Sequence, residues 1–458
     1  MENRNKMLSE EKINKLLLRL SLPATIGMTV NALYNVIDTI FIGWGVGPLA
    51  IGGLTIAFPI QMLIMAIAQM IGIGAASAIS RSLGAGNKEK ADYYAGNSYV
   101  LVVIIALVFS ILGSIFIVPL LKLFGATPTL MPYAKDYLTI ILLGSTFFSF
   151  AVSSNNLVRS EGNAKVAMVS MIIGTGLNII LDPILIFGFH MGIKGAALAT
   201  IISQFMSFLY IVKYMYSGKS MLNIMPHHLK LKGEYVIEII TVGLPSFVRQ
   251  VGGSFLAIIL NHSLAFYGGD IAIATYGIIN RLIMFLFMPM FGVVQGLQPI
   301  AGFNYGAKKY DRVNEVIKLS IKTLIVFAST GALLAFSFPK YAFMIFTDNA
   351  EVISIGSYAI RFIVFMLPIV GIQIISASIF QAFGKSKPSL FLSMLRQLII
   401  FIPLVLILPK IGNLGLTGIW LSYPLSDFIS TLISGLMLKK EMKNLNTIHE
   451  KSLETQKL

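Results

Sequence analysis

Residues 95–121 read AGNSYVLVVIIALVFSILGSIFIVPLL, with no Asp, Glu, Lys, Arg or His among them. At 1.5 Å of rise per residue this run makes a helix of about 40 Å, longer than the ~30 Å hydrocarbon core of a bilayer. It must be a helix, because backbone groups in lipid have to be satisfied within the segment. Apolar stretches of the same kind fall at 20–43, 49–79, 130–153, 164–188, 193–216, 237–266, 271–302, 314–338, 351–380, 388–409 and 414–438. With the first run they make twelve candidate spans. The composition agrees: 56% of the 458 residues are hydrophobic and 12% are charged, about half the charged share of a soluble domain. A cytosolic enzyme, a secreted protein and a disordered chain are thereby excluded, and the fold class is an all-α polytopic membrane protein.

The net charge of +15 would suggest nucleic acid in a soluble protein. In a membrane protein it marks cytoplasmic loops and anionic headgroups. An even number of spans puts both ends on one side. Arg81, Lys88 and Lys90, then Lys219, Lys230 and Lys232, then Lys308, Lys309 and Arg312 lie in loops on that side. The opposite loops and their edges hold Lys122, Lys135, Lys194, Lys340 and Lys410. This bias predicts cytoplasmic termini. Residues 1–19 are charged and amphipathic and lack a short apolar core with a small-residue cleavage site. They are expected to lie as a helix along the membrane surface, ahead of an uncleaved first span.

The chain repeats itself at one offset. Leu22-Pro23 recurs as Leu244-Pro245, Gly84-Ala85 as Gly306-Ala307, and Gly162 and Lys165 as Gly384 and Lys387, each displaced by 222 residues. Two six-helix bundles related by pseudo-two-fold symmetry follow: a first lobe at 20–216, a basic linker at 217–234, a second lobe at 235–440, and a tail at 441–458. Six being even, the halves insert in the same orientation, about an axis along the membrane normal.

A carboxylate at the centre of a span costs about 2.5–3.5 kcal/mol on insertion scales. Asp38 lies in the first span, on one helical face with Asn31 and Tyr34. Asp182 lies in the fifth, four residues after Asn178, and Met171 and Thr175 extend that stripe. Pro183 removes a backbone donor beside the acid. Two acids close together would share a proton. With amide and hydroxyl oxygens they would alternatively form a sodium cage. At the 222-residue offset Asp38 corresponds to Leu260, Asn178 to Ile400 and Asp182 to Leu404. A site built on these acids therefore belongs to the first half alone.

The second half carries Arg249, His262, Arg281, Arg361 and Arg396 instead, with Asp427 as the acid expected to partner Arg249 or Arg281. Gln61, Gln69, Gln295 and Gln298, with Met62, Met65, Met284, Met288 and Met290, add polarity and soft surface to spans two and eight. Glu161 at the cytoplasmic edge reads as a loop ion pair or a gate contact. There is no GxxxxGK[ST] phosphate loop and no HExxH pair. The absence of cysteine removes thiolate chemistry.

The whole chain, roughly 12–440, resembles the multidrug and toxic compound extrusion (MATE) transporters, closest to prokaryotic branches with an acid in the first span. The resemblance rests on Leu22-Pro23, Tyr34-Asn-Val-Ile-Asp38-Thr, Arg159-Ser-Glu-Gly162-Asn, Asn178-Ile-Ile-Leu-Asp182-Pro183 and Gln295-Gly-Leu-Gln-Pro-Ile-Ala-Gly-Phe-Asn-Tyr-Gly306. It implies a V-shaped pair of bundles in the cell (inner) membrane of a prokaryote, working by alternating access. It also implies exchange of cationic, lipophilic compounds for protons or sodium. By the resemblance, Asp38, Tyr34, Asn178, Asp182, Thr200 and Asn155 form the coupling-ion site.

A secondary antiporter is therefore expected, with Asp38 and Asp182 holding H+ or Na+, and Asn31, Gln61, Met171 and Thr175 on the cavity wall. It would not be an enzyme and would need no cofactor beyond the coupling ion. It would act as a monomer on small cationic drug-like molecules within the lipid bilayer, without nucleic acid. The alternative is a flippase for a lipid-linked saccharide or another anionic lipid, which Arg249, Arg281, Arg361 and Arg396 would favour and the two acids would not.

Overall fold

The computed structural model describes residues 2–457, without the side chains at positions 2, 3, 35, 36, 48 and 451–457. Met1 and Leu458, at the ends of the two expected tails, fall outside the described residues. All the apolar runs lie in helices, and among the described residues there is no strand. The first half comprises α1 (Glu2–Glu10), α2 (Ile13–Gly45), α3 (Pro48–Gly84), α4 (Lys88–Ile115), α5 (Ile117–Leu123), α6 (Met131–Ser160), α7 (Ala164–Pro183) and α8 (Ile193–Tyr216). The second comprises α9 (Gly233–Gly306), α10 (Tyr310–Ser337), α11 (Pro339–Met344), α12 (Ala350–Phe365), α13 (Leu367–Ala382), α14 (Ser386–Met394), α15 (Ile402–Ile407) and α16 (Gly415–Lys457).

Ten helical segments are long and apolar enough to cross a membrane, and α12 with α13, bent by 50°, makes one more span. The 74-residue α9 holds two spans, because Gly269 breaks it at φ 64°, ψ −162°. That backbone region is closed to residues with a Cβ. Among the described residues the count is thus twelve. On α4, Ile104, Leu107, Val108, Ile111, Leu112 and Ile115 are all exposed. Their spacing of three and four puts them on one outward face, as expected of a helix solvated by lipid.

Helix ends follow local chemistry. Gly162, at φ +80°, ends α6, and Asn163 then caps α7 by accepting from Val166 N (3.4 Å). This is the Gly162-Asn163 pair of the sequence motif. Asn87 caps α4 in the same way, accepting from Lys90 N (3.0 Å).

The two lobes meet at the end that carries the N-terminus and the basic loops, and the contact repeats the sequence symmetry. A Cβ on Gly74 would sit 1.9 Å from Ile239 O, and one on Gly243 1.9 Å from Met70 O. The positions 222 residues after Met70 and Gly74 are Gly292 and Gly296, and they press on Thr25 and Ser21 of the first lobe. Gly84 meets Phe303 O, and its counterpart Gly306 meets Arg81 O. Backbones approach this closely only where side chains are absent. Around these seams Ser77 Oγ donates to Gln381 O (2.6 Å), and Arg81 Nη2 to Glu238 Oε1 (2.8 Å). Each bond joins one lobe to the other.

The N-terminal helix differs from the surface-lying helix expected. Leu8 is fully buried, and the helix straps the closed end. The last carbonyls of a helix lack internal partners. Here Leu8 O accepts from Asn304 Nδ2 (3.1 Å), Ser9 O from Lys309 Nζ (3.1 Å) and Glu11 O, just beyond, from Arg312 Nη2 (2.8 Å), all from the second lobe. Toward the first lobe Arg4 Nη1 donates to Tyr214 Oη (2.8 Å) and pairs with Glu161 at 3.7 Å. Glu161, just past the end of α6, also accepts from Tyr214 Oη (2.5 Å), Ser220 Oγ (2.9 Å) and Met221 N. Burial pushes its carboxyl above the ordinary glutamate range, and those donors oppose the shift. Glu161→Ala would strand three buried donors, at a cost on the order of 3 kcal/mol. Hydrogen exchange at residues 4–10 and 219–222 should accelerate accordingly; unchanged protection would remove Glu161 from this role.

The segment between the lobes is packed rather than loose. Asn97, fully buried in α4, accepts from Lys232 N (2.8 Å) and donates to His228 O (3.1 Å) and Lys230 O (3.2 Å). Glu89, His227 and His228 gather there, with Glu89 Oε1 3.2 Å from His228 Nε2 and 3.5 Å from His227 Nε2. His228 Nδ1 accepts from Met225 N (3.0 Å). A neutral His228 therefore carries its proton on Nε2, facing Glu89, which occupies the nitrogen a metal ion would need.

Candidate functional site

Five helices of the first lobe converge on Asp38 and Asp182. α2 supplies Tyr34 and Asp38, α7 supplies Asn178 and Asp182, α8 supplies Thr200, α6 supplies Tyr137 and α3 supplies Gln61. Asp38 is 6% exposed, and Asp182 is fully buried. Their carboxyl groups are close enough to act on each other's charge. Two buried carboxylates this close favour a proton or another cation between them. Among the described residues neither acid forms an ion pair with a Lys, Arg or His.

Asn178 orients the pair. With its amide turned so that all its atoms are satisfied, its nitrogen donates to Asp182 Oδ2 (2.9 Å) and its oxygen accepts from Thr200 N (3.1 Å). Thr200 Oγ1 donates to Ala196 O (3.0 Å) and is within reach of the Tyr34 and Tyr137 phenols. Gln61 Nε2 donates to Tyr137 Oη (3.0 Å). Directly after Asp182, Pro183 ends α7 and the chain continues as a π-helical turn, Ile184–Gly188. Such turns widen a helix and recur at functional sites.

Among the described residues, Asp38 Oδ1, Asp182 Oδ1 and Asn155 Oδ1 are buried without a hydrogen-bond partner. Buried oxygens of this kind fit a proton or a hard cation with oxygen ligands. Asn156, by contrast, is engaged: its Nδ2 donates to Gln69 Oε1 (3.1 Å), and its Oδ1 accepts from Arg159 Nη1 (3.4 Å).

The sequence-derived residues divide. Tyr34, Asp38, Asn178, Asp182 and Thr200 come together, and Gln61 joins through Tyr137. Asn31 lies two turns along α2 from Asp38, about 10 Å by helical rise. Thr175 donates to Met171 O within its own helix (2.8 Å). Met171 Sδ accepts from Arg159 Nη2 (3.2 Å) and lies about 16 Å along α7 from Asp182. The reading of the sequence passed over Tyr137, and no local pattern marks it: it stands alone on α6. In the second lobe Asp427 pairs with Arg396, whose Nε donates to Asp427 Oδ1 (2.5 Å). This corrects the expected partnership with Arg249 or Arg281. Arg361 instead lies over the Phe336 ring at 5.8 Å.

Two lobes of one design, joined at one end, with a paired-acid site in the first, define a multi-pass membrane transporter. The comparisons give the family. The MatE model matches residues 23–184 and again 245–407, reproducing the repeat, and the chain belongs to the MATE family. It is 27% identical over 424 residues to the multidrug export protein MepA of Staphylococcus aureus (strain MSSA476), covering 93% of both chains. It is 26% identical over 444 residues to MepA of Staphylococcus haemolyticus (strain JCSC1435), covering 97% of both. A solved structure described as the outward-facing conformation of a multidrug resistance MATE family transporter superimposes with a TM-score of 0.91. That protein is 28% identical, with 96% of this chain and 98% of that chain covered. A transporter from Pyrococcus furiosus, described as having a binding pocket of reverse polarity, matches with the same TM-score, identity and coverage.

Proposed function

We propose that this chain exports small lipophilic, mainly cationic compounds in exchange for H+ or Na+, with Asp38 and Asp182 as the shared binding site for coupling ion and substrate charge. The observation that carries this reading is the closeness of two buried carboxylates that have no basic partner among the described residues. Such a pair binds one positive charge at a time, so an incoming ion and an outgoing cation compete for it. Competition alone couples their fluxes, provided each ligand favours a different conformation by a few kcal/mol. Asn155, Asn178, Thr200, Tyr34 and Tyr137 would hold the carboxylates and complete the oxygen shell.

The basic loops support a closed end that faces the cytoplasm, and the bacterial relatives support a cell membrane with both termini inside. The structure is then the outward-open state, ready to release substrate and take up the ion. The anionic-lipid alternative is disfavoured by the two acids, and Asp427 beside Arg396 opposes a multiply charged headgroup there.

The test is transport of a lipophilic cation such as ethidium in proteoliposomes under separately imposed pH and sodium gradients. One gradient should drive uptake against the ethidium gradient. Transport indifferent to both would overturn the proposal. Asn178→Ala leaves Asp182 Oδ2 and Thr200 N unpaired, a loss of about 1–3 kcal/mol. The apparent affinity for the driving ion should fall by about tenfold, read from the gradient needed for half-maximal rate.

A further inference from the structure

The second lobe holds a cavity of about 160 Å³ that the exchange described above does not use. At the 222-residue offset, its lining residues Leu256, Ile283 and Gln397 occupy the positions of Tyr34, Gln61 and Thr175 in the first lobe. It is thus the counterpart of the paired-acid site, with different chemistry. Leu260 and Leu404 stand at the acids' own positions; the charged groups on this cavity's lining are instead Arg396 and Asp427, and the walls are the rings of Tyr276, Phe287, Phe401 and Tyr423. Arg396 and Gln397 sit in a π-helical turn, Leu395–Phe401, as the widened turn after Asp182 does in the first lobe.

The Arg396–Asp427 bond uses one donor of the guanidinium, Nε. Among the described residues no acceptor is found for its two terminal nitrogens, whose side chain is 24% exposed. The guanidinium carbon lies 5.9 Å from the Phe287 ring centre. Among the described residues Gln397 Oε1 is buried without a partner. The cavity therefore offers a planar cation with a free fork, a lone carbonyl acceptor and an aromatic wall.

We propose that this cavity is a second binding site, selective for small aromatic monoanions such as aryl carboxylates. The carboxylate would take the two terminal nitrogens of Arg396 side by side, a geometry that suits the guanidinium fork. The ring would stack against Phe287 and Tyr423, and a donor on the ligand would satisfy Gln397. A single negative charge is preferred, because Asp427 already neutralises Arg396 and would repel a doubly charged phosphate. Asp427 thus competes with the ligand for Arg396, which gives the test a sign that a purely structural ion pair lacks.

The experiment is calorimetric titration of the purified full chain in detergent with 2-naphthoate, and with neutral 2-naphthamide as control. Wild type should bind naphthoate at least about tenfold more tightly than naphthamide. Asp427→Asn should tighten naphthoate binding several-fold, because the competing charge is gone. The charge-neutral double variant Arg396→Gln/Asp427→Asn should lose about tenfold or more. Gln397→Leu, which leaves the buried ion pair intact and so is safe for folding, should weaken binding of 6-amino-2-naphthoate, whose amine is a donor. Equal binding of naphthoate and naphthamide, wild-type affinity in the double variant, or weakening by Asp427→Asn would each overturn the proposal. So would a Gln397→Leu protein that binds the amino probe as wild type does.

Discussion

Asp38→Asn is expected to abolish export while leaving the protein folded and in the membrane. The exchange keeps size and hydrogen-bonding groups. It removes a carboxylate whose insertion costs about 2.5–3.5 kcal/mol and replaces it by a cheaper amide. Stability should therefore hold or rise, and a loss of export cannot be put down to unfolding. What disappears is the charge that coupling ion and substrate share. Asn178 still pairs with Asp182 Oδ2, so the helix contact persists, but the site can no longer change its charge at Asp38. Asp182→Asn should behave alike, and the double variant should be no worse than either single one, because groups acting as one unit are not additive. Drug resistance of cells producing each variant at equal levels measures this. Resistance at the wild-type level with Asp38→Asn would remove Asp38 from the mechanism, and an additive double variant would show that the acids work separately.

The fold was open to reading because it is written in long-range regularities. Lipid forces helices wherever charge is missing for twenty residues, and the recurrence of Leu22-Pro23 and Gly84 at 244 and 306 announced the second lobe. The acid pair was visible for the opposite reason: a carboxylate inside an apolar run is costly. The remaining parts of the site carry no such mark. Tyr137 stands alone on α6 and earns its place only through Gln61 and the acids across the bundle. Met171 and Thr175 share a helical stripe with Asp182, but a stripe 16 Å long runs past the site toward the closed end. Asp427 and Arg396 are separated by 31 residues, and nothing in the sequence chose Arg396 over Arg249 or Arg281. The role of α1 was hidden because an amphipathic helix suits a membrane surface and a protein surface equally. Only the donors of Asn304, Lys309 and Arg312 decide between them.

Gly243→Val should open the closed end. In this structure even a Cβ at position 243 would lie 1.9 Å from Met70 O, a backbone atom that cannot step aside. The valine can be accommodated only if α3 and the first arm of α9 separate, and overpacking of this kind typically costs about 1–3 kcal/mol. That cost falls on the closed arrangement alone, so the equilibrium moves toward the state in which the lobes part at this end. The chain has no cysteine, so a single Ser77→Cys is a clean reporter. Ser77 is 6% exposed at the seam and is covered by Gln381 and Ala382 of the other lobe. A water-soluble maleimide should label Cys at that position slowly in the parent and about tenfold faster or more beside Gly243→Val, the factor that 1.4 kcal/mol carries. Gly74→Val, on the facing helix against Ile239 O, should give the same result, because both press on one seam. Transport should fall in both, since a protein held open at one end cannot complete a cycle. Labelling no faster than in the parent, with transport retained, would show that these glycines do not govern closure and that the lobes part along another surface.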